Sequence, residues 1–348
     1  MSQHLVTLPI LIPMIGALAL LLFNQASDTR RRQLSTALCV AQVLVAAWLL
    51  AVAGGGQMLF YALGNWHAPF GIVLMLDRLS ALMLILTAVL ALGSVLFACA
   101  GEDARGTNFH GLFQLQLMGL NGAFLTGDMF NLFVFFEITL LASYALMMHG
   151  GGKERIGAGL HYVILNLAGS ALFIVALGVL YGATGTLNMA DMARRVAQMS
   201  GDQTALVTAG ALLLIVVFSL KAALLPLYFW LPRTYAAAPA PVAALFAIMT
   251  KLGLYAILRV QSLIFADTPV AEAIIAWLWW AGLATIALAA VGVLAARDLR
   301  TLVAYLVLVS VGTLMAGTAL GSIEAIGALL YYLPHTTLIC GALYLIAE

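Results

Sequence analysis

The sequence predicts an all-α polytopic membrane protein, on three observations. Of its 348 residues, 64% are apolar and only 8% are Asp, Glu, Lys or Arg, whereas a soluble domain carries about a quarter of its residues as charges. The mean hydropathy is +1.09. The apolar residues also fall into runs of about 20, the length a helix needs to cross a hydrocarbon core of about 30 Å. A formal net charge of +1 offers no basic field, so nucleic acid is not an expected partner. Cys39, Cys99 and Cys340 stand at no ligand-like spacing, which points to neither a disulfide framework nor a zinc site.

Eleven runs follow one another, at 5–23, 34–53, 72–100, 109–127, 128–149, 156–182, 205–232, 239–261, 270–294, 300–320 and 323–347. The first has no Lys or Arg ahead of it and no small-residue cleavage site, so it reads as a retained span and not a signal peptide. Residues 54–71, with Gly54, Gly55, Gly56, Trp66 and Pro69, read as a Gly-rich turn followed by short extended stretches at the outer interface. Between the sixth and seventh runs, Met189, Met192, Val196 and Met199 recur at helical spacing, with Asp191, Arg194, Arg195 and Gln198 opposite. That pattern predicts a short surface helix capped by Asn188. The string HGGGKERIG at His149–Gly157 lacks a phosphate loop's first glycine and carries Glu154 where Ser or Thr must bind magnesium. It reads as a turn. The pair Gly317 and Gly321 forms a GxxxG that allows close helix approach.

Orientation follows from the basic residues. Alternate connections place Arg30, Arg31, Arg32, Arg105, Lys153, Arg155, Arg233, Arg297 and Arg300 on one side, against Arg78, Arg194, Arg195 and Arg259 on the other. The richer side is cytoplasmic, which puts the N-terminus outside.

Three charges lie away from every run end. Glu137 is about 14 Å into the fifth run at 1.5 Å per residue. Lys221 is mid-way along the seventh and Lys251 near the middle of the eighth, so two of the three lysines sit at membrane centre. Each costs at least about 2.5 to 3.5 kcal/mol to insert. One carboxylate cannot neutralise two ammonium groups, and apolar packing would pin helices without the desolvation penalty, so surplus buried charge points to a proton relay. Pro226, five residues after Lys221, removes a backbone donor and should break the seventh helix near residues 222–226, a device tolerated at bilayer depth where a cavity is lined. His335, preceded by Pro334, is the fourth candidate relay group. His161 reads as an interfacial histidine. No cation cage is evident, and Thr126, Asp128 and Asn131 are the nearest thing to one.

The stretches TGDMFNLFVFFEITLLASYAL (Thr126–Leu146), FSLKAALLPLYFWLPRTYAAAPAPVAALFAIMTKLGLYAILR (Phe218–Arg259) and YYLPHTTLICGALYLIAE (Tyr331–Glu348) resemble the D subunit of the multisubunit monovalent cation/proton antiporters of the Mrp, Mnh and Pha type. The resemblance covers essentially the whole chain. It implies a fold of fourteen transmembrane helices with two inverted five-helix repeats. This chain would supply an N-terminal three-helix segment (1–108), a first repeat (109–261) and part of a second (262–348). It also implies Glu137 and Lys221 as a charge pair, Lys251 as the next relay and His335 as part of the central path. Implied partners are the other antiporter subunits, the bilayer of a bacterial inner membrane, H+ and either Na+ or K+, with no cofactor. Proton-pumping membrane subunits of complex I and of membrane hydrogenases share the Glu, the Lys before a proline and the TK pair, and are the rival reading. Family members continue past this point, so helices twelve to fourteen are missing and the chain is expected to be a fragment.

Overall fold

The structure, a computed structural model, describes residues 2–22, 27–266 and 268–348, without side-chain placement at Ser2, Gln3 and Asp202. The end of the first predicted run, Phe23, lies outside the described residues. After a 3-10 turn at Ser2–Thr7 come α1 (Leu8–Leu22), α2 (Asp28–Gly54), β1 (Leu59–Ala62), β2 (Val73–Leu76), α3 (Arg78–Ala98), α4 (Phe109–Leu125), α5 (Met129–Met147) and α6 (Lys153–Thr184). Then follow α7 (Met189–Val196), α8 (Asp202–Ala222), α9 (Trp230–Ala237), α10 (Ala240–Phe246), α11 (Met249–Val260), α12 (Val270–Ala295), α13 (Leu299–Leu320) and α14 (Ile323–Ile346). Among the described residues, 10 helical segments are long and apolar enough to cross a membrane. The chain is a multi-pass helical membrane protein. The fourth predicted run forms α4, which at 17 residues is too short to count among those ten.

Two runs, the third and the eighth, differ from their predicted form, and the seventh breaks as predicted. The third loses its first residues to a strand: Val73–Leu76 pairs antiparallel with β1, Leu59 opposite Leu76 and Ala62 opposite Val73. The helix waits for Asp77, whose carboxylate accepts from Ser80 N while the Ser80 hydroxyl accepts from Asp77 N, a reciprocal cap. The seventh run is broken between α8 and α9. The eighth is interrupted too, because Ala247 and Ile248 bond back three residues, to Ala244 and Leu245, in place of four. This tightening separates α10 from α11, and α11 then loosens into a π-helical turn at Gln261–Phe265.

The N-terminal helices are stapled by a carbonyl. Pro13 lies inside α1 and has no N–H for the oxygen one turn back. That oxygen, on Pro9, accepts instead from Gln42 Nε2 of α2 (3.2 Å) and Asn121 Nδ2 of α4 (2.8 Å). The cluster therefore explains two buried amides without any transport role.

Glycines set the closest crossings, though not those the GxxxG suggests. Gly321 takes φ +66 at the end of α13, and a Cβ on Gly317 would meet only Leu329, at 3.7 Å. The tight α12–α13 crossing is made by Gly282 and Gly312, where a Cβ on Gly312 would lie 2.7 Å from the Gly282 oxygen. Likewise a Cβ on Gly253 of α11 would lie 2.6 Å from the Ala222 nitrogen. Gly253→Ala is expected to cost about 1 to 3 kcal/mol by overpacking. Thermal melting of the purified protein checks this against Gly93→Ala, whose Cβ would meet nothing within 4 Å, and equal melting of the two variants contradicts it.

The charges of the connections gather at two ends. Arg32 binds Asp103, Arg105 binds Glu102 and Glu348, and Arg300 binds Glu348 at one end. The His110 ring lies against the Asp103 carboxylate at 3.0 Å. Burial raises the Asp103 carboxyl, but its bonds to Arg32 and His110 outweigh this and hold it below the ordinary carboxylate range. At the other end Arg259 binds Asp77, while α7 carries Asp191 between Arg194 and Arg195. The short surface helix is as predicted, with Asn188 Oδ1 accepting from Asp191 N. Asp191 itself is buried and not on the solvent face, because its two arginines fold over it.

Candidate functional site

Three helices carry the first buried charges to one point. α5 is started by Asp128, whose Oδ1 accepts from Asn131 N, and Glu137 lies half-buried on its flank. On α6, Asn166 and Ser170 are one turn apart and share a buried face. Gly169 beside them lets α8 close in: a Cβ there would lie 2.4 Å from Leu220 Cδ2 and 3.8 Å from Lys221 Cε. Lys221, 4% exposed, donates from Nζ to Ser170 Oγ (3.1 Å) and to the Asn166 carbonyl (3.2 Å). Ser170 in turn donates from Oγ to Glu137 Oε1. Glu137 and Lys221 are thus joined through a hydroxyl and not by a direct ion pair. A small cavity beside Lys221 is bounded by Thr139, Tyr162, Asn166 and Met249.

The break after Lys221 is made where Pro226 predicts it. α8 stops at Ala222, Ala223 takes the left-handed φ of +59, and the Leu225–Pro226 peptide is cis. The groups freed by the break find partners. Trp230 Nε1 donates to the Leu220 carbonyl at 3.1 Å, and Leu225 N donates to Thr285 Oγ1 of α12 at 2.9 Å. Lys221 therefore occupies the last turn of a helix, where the negative end of the peptide dipoles favours a cation by about 0.3 to 1 kcal/mol.

Lys251 is in a different setting. It is the third residue of α11, just after the tightened turn, and 0% exposed. Among the described residues its Nζ has no hydrogen-bond partner, and neither does Thr250 Oγ1 beside it. No carboxylate among the described residues hydrogen-bonds to Lys251. Met249 links the two lysine regions, lining the Lys221 cavity while its sulfur accepts from Gln116 Nε2 of α4 at 3.4 Å.

The other candidates are not drawn into this cluster. His335 lies on the exposed face of α14, its ring 6.2 Å from that of Tyr332, and no hydrogen bond joins it to Lys251. His161 is exposed on α6. Thr126, Asp128 and Asn131 are knit together at the start of α5, with Asn131 Nδ2 donating to Thr126 Oγ1 at 2.9 Å. They cap the start of α5. Gly150, Gly151 and Gly152 all take positive φ in the turn before α6, a geometry without the strand-to-helix frame of a phosphate loop.

Sequence reasoning missed Ser170, Asn166, Thr285 and the tightened turn before Lys251. Ser170 and Asn166 had one available signal: two polar residues at i, i+4 spacing in an otherwise apolar stretch of α6, flanking a glycine.

Comparison with known proteins bears on what this cluster belongs to. The family described as NADH:quinone oxidoreductase/Mrp antiporter, TM, matches residues 126–348. The chain is 48% identical over 353 residues to the D subunit of a probable K(+)/H(+) antiporter of Rhizobium meliloti (strain 1021), covering 99% of this chain and 66% of the relative. It is 40% identical over 349 residues to the D subunit of the Na(+)/H(+) antiporter of Bacillus subtilis (strain 168), covering 99% of this chain and 70% of the relative. The chain thus spans about two thirds of their length. Its fold superimposes with a TM-score of 0.92 at 28% identity on a chain in the structure of the Mrp complex from Dietzia sp. DQ12-45-1b, covering 99% of this chain and 64% of that one. The matched family region starts at Thr126 and so contains Glu137, Ser170, Lys221 and Lys251, and on these similarities the chain belongs to the NADH:quinone oxidoreductase/Mrp antiporter transmembrane family, alongside the antiporter D subunits.

Proposed function

We propose that the chain is a membrane subunit of a multisubunit Na+(K+)/H+ antiporter, and that protons cross it by way of Glu137, Lys221, Lys251 and His335. The observation that carries this is the buried pair of lysines in unlike settings. Lys221 is linked to Glu137 through Ser170, and among the described residues Lys251 has neither a carboxylate nor a hydrogen-bond partner. A proton on Lys221 is stabilised by the Glu137 side, and loosening that link favours its passage toward Lys251. Repulsion between two buried cations drives the step. His335 is the outermost member, on a face of α14 that the rest of the path does not touch.

In this reading α4 is an eleventh crossing, which its ends support: it begins beside Asp103 at one end of the molecule and stops at Thr126, paired with Leu74 of β2, at the other. The N-terminus then faces away from the cytoplasm, with the Arg32, Arg105 and Arg300 cluster on the cytoplasmic side of a bacterial inner membrane. Residues 1–108 form an N-terminal segment, 109–261 a five-helix repeat broken after Lys221, and 262–348 part of a second, inverted repeat. The partners are the other antiporter subunits, and no redox cofactor is held by this chain.

Everted vesicles containing the full complex test the reading. Addition of Na+ or K+, supplied separately, is expected to collapse a preformed pH gradient without any electron donor. Proton movement that requires a quinone or hydrogen reductant, with flavin or iron-sulfur absorbance in the purified complex, would establish the redox-linked pump in its place.

A further inference from the structure

Nothing in the proposed path explains why a hydroxyl stands between its carboxylate and its first lysine. A direct ion pair needs no intermediary, and a hydroxyl between the two groups can pass a proton as well as satisfy both. Ser170 is 5% exposed, sits one turn from Asn166, accepts from Lys221 Nζ at 3.1 Å and donates its one proton to Glu137 Oε1. A serine hydroxyl has one hydrogen and two lone pairs, so here it is both acceptor and donor along a single line. The Asn166 carbonyl holds the lysine on that line at 3.2 Å, and a carbonyl can accept a hydrogen bond but has no proton to pass on.

We propose that Ser170 is a relay residue that carries the proton between Lys221 and Glu137, resting on the transport reading above. In the forward step one N–H bond of Lys221 breaks as that hydrogen bonds to Ser170 Oγ. Together with it the original O–H bond of Ser170 breaks and its hydrogen bonds to Glu137 Oε1. The products are a neutral amine, a neutral carboxylic acid and an unchanged serine. No electron pair leaves the three groups and no co-reactant is consumed. Two opposite charges are thereby discharged inside the site. Glu137 holds the proton until the step reverses and returns it through Ser170 to Lys221, which then passes it toward Lys251.

The test uses the assembled complex and a pair of variants alike in shape, Ser170→Thr and Ser170→Val, so that effects on packing cancel. Two quantities are measured: the rate of cation-induced collapse of the pH gradient, and the rise of the protonated-carboxyl infrared band of Glu137 after a pH jump, assigned by its loss in Glu137→Gln. Ser170→Thr keeps a hydroxyl and is expected to follow the parent in both. Ser170→Val is expected to slow both by about a hundredfold, the lower end of the effect of a positioned proton-transfer group. A carboxyl band that rises in Ser170→Val within about twofold of Ser170→Thr overturns the relay whatever the transport assay shows. Failure of Na+ and K+ to collapse the gradient in the parent, with the band kinetics still separating Thr from Val, overturns the antiporter reading and leaves the relay standing.

Discussion

Replacing Glu137 with Ala is expected to abolish cation-induced collapse of a pH gradient in everted vesicles. The substitution removes the carboxylate linked to Lys221 and leaves Ser170 to face it alone. Removing the charged partner leaves the buried ammonium of Lys221 uncompensated, which disfavours its charged form. Glu137→Gln is expected to fail as well, because an amide can hold the Ser170 hydroxyl but cannot take up a proton at neutral pH. Glu137→Asp keeps the chemistry on a shorter arm and is expected to retain partial activity. Full activity in Glu137→Ala, with the complex present at normal abundance, would remove Glu137 from the path.

The second large effect concerns stability and lies at the other end of the molecule. Arg259 of α11 grips Asp77 with two bonds, Nη1 to Oδ2 at 2.5 Å and Nη2 to Oδ1 at 3.1 Å, and its Nη2 also donates to Tyr255 OH at 2.7 Å. Tyr255 OH donates to the Phe124 carbonyl of α4 at 2.6 Å. One guanidinium thus ties α11, α3 and α4 together beside the π-helical turn. Arg259→Ala is expected to cost about 3 kcal/mol, since it strands a half-buried carboxylate that also caps α3.

This strut also makes stability depend on pH with a definite sign. Burial raises the Asp77 carboxyl, but the Arg259 bond and charge and the Ser80 cap outweigh it, so the group titrates below the ordinary carboxylate range. A carboxylate with a lowered folded value contributes stability above its unfolded value, about pH 3.9 for Asp, and loses it as pH falls through the folded one. The melting difference between the parent and Arg259→Ala is therefore expected to be full near neutrality and to shrink in strong acid. A difference that stays constant down to the acid limit would show that the arginine acts by packing alone.

The buried charges were legible because a charge in an apolar run is an anomaly that insertion energetics prices directly. Glu137, Lys221 and Lys251 stand out on that ground with no knowledge of the fold, and Pro226 marks the break because its missing N–H is a property of the residue itself. Ser170 left only its spacing from Asn166 as a sign. A serine in a membrane helix can always satisfy itself on its own backbone, as Thr139 and Ser143 do here, and only the approach of α8 past Gly169 makes this one a partner. The turn before Lys251 left no mark, for Phe246–Met249 contains neither Gly nor Pro. The strand at Val73–Leu76 was absorbed into an apolar run, because continuous apolar residues carry no period that separates strand from helix.

By itself the sequence determined that this chain lives in a membrane, roughly where it crosses, and which side chains have no apolar reason to be there, since transfer free energy is a sum over residues. Tertiary structure decided which of those groups meet. Lys221 reaches Glu137 only through Ser170, Lys251 is left without a partner among the described residues, His335 faces outward and Asp128 is spent on a cap. Hydrogen bonds extend about 3 Å and have direction, so they depend on how close and at what angle helices cross. Those crossings are set by glycines at 169, 253, 282 and 312 together with the side chains opposite them, a pairing between distant positions that no single stretch of sequence contains.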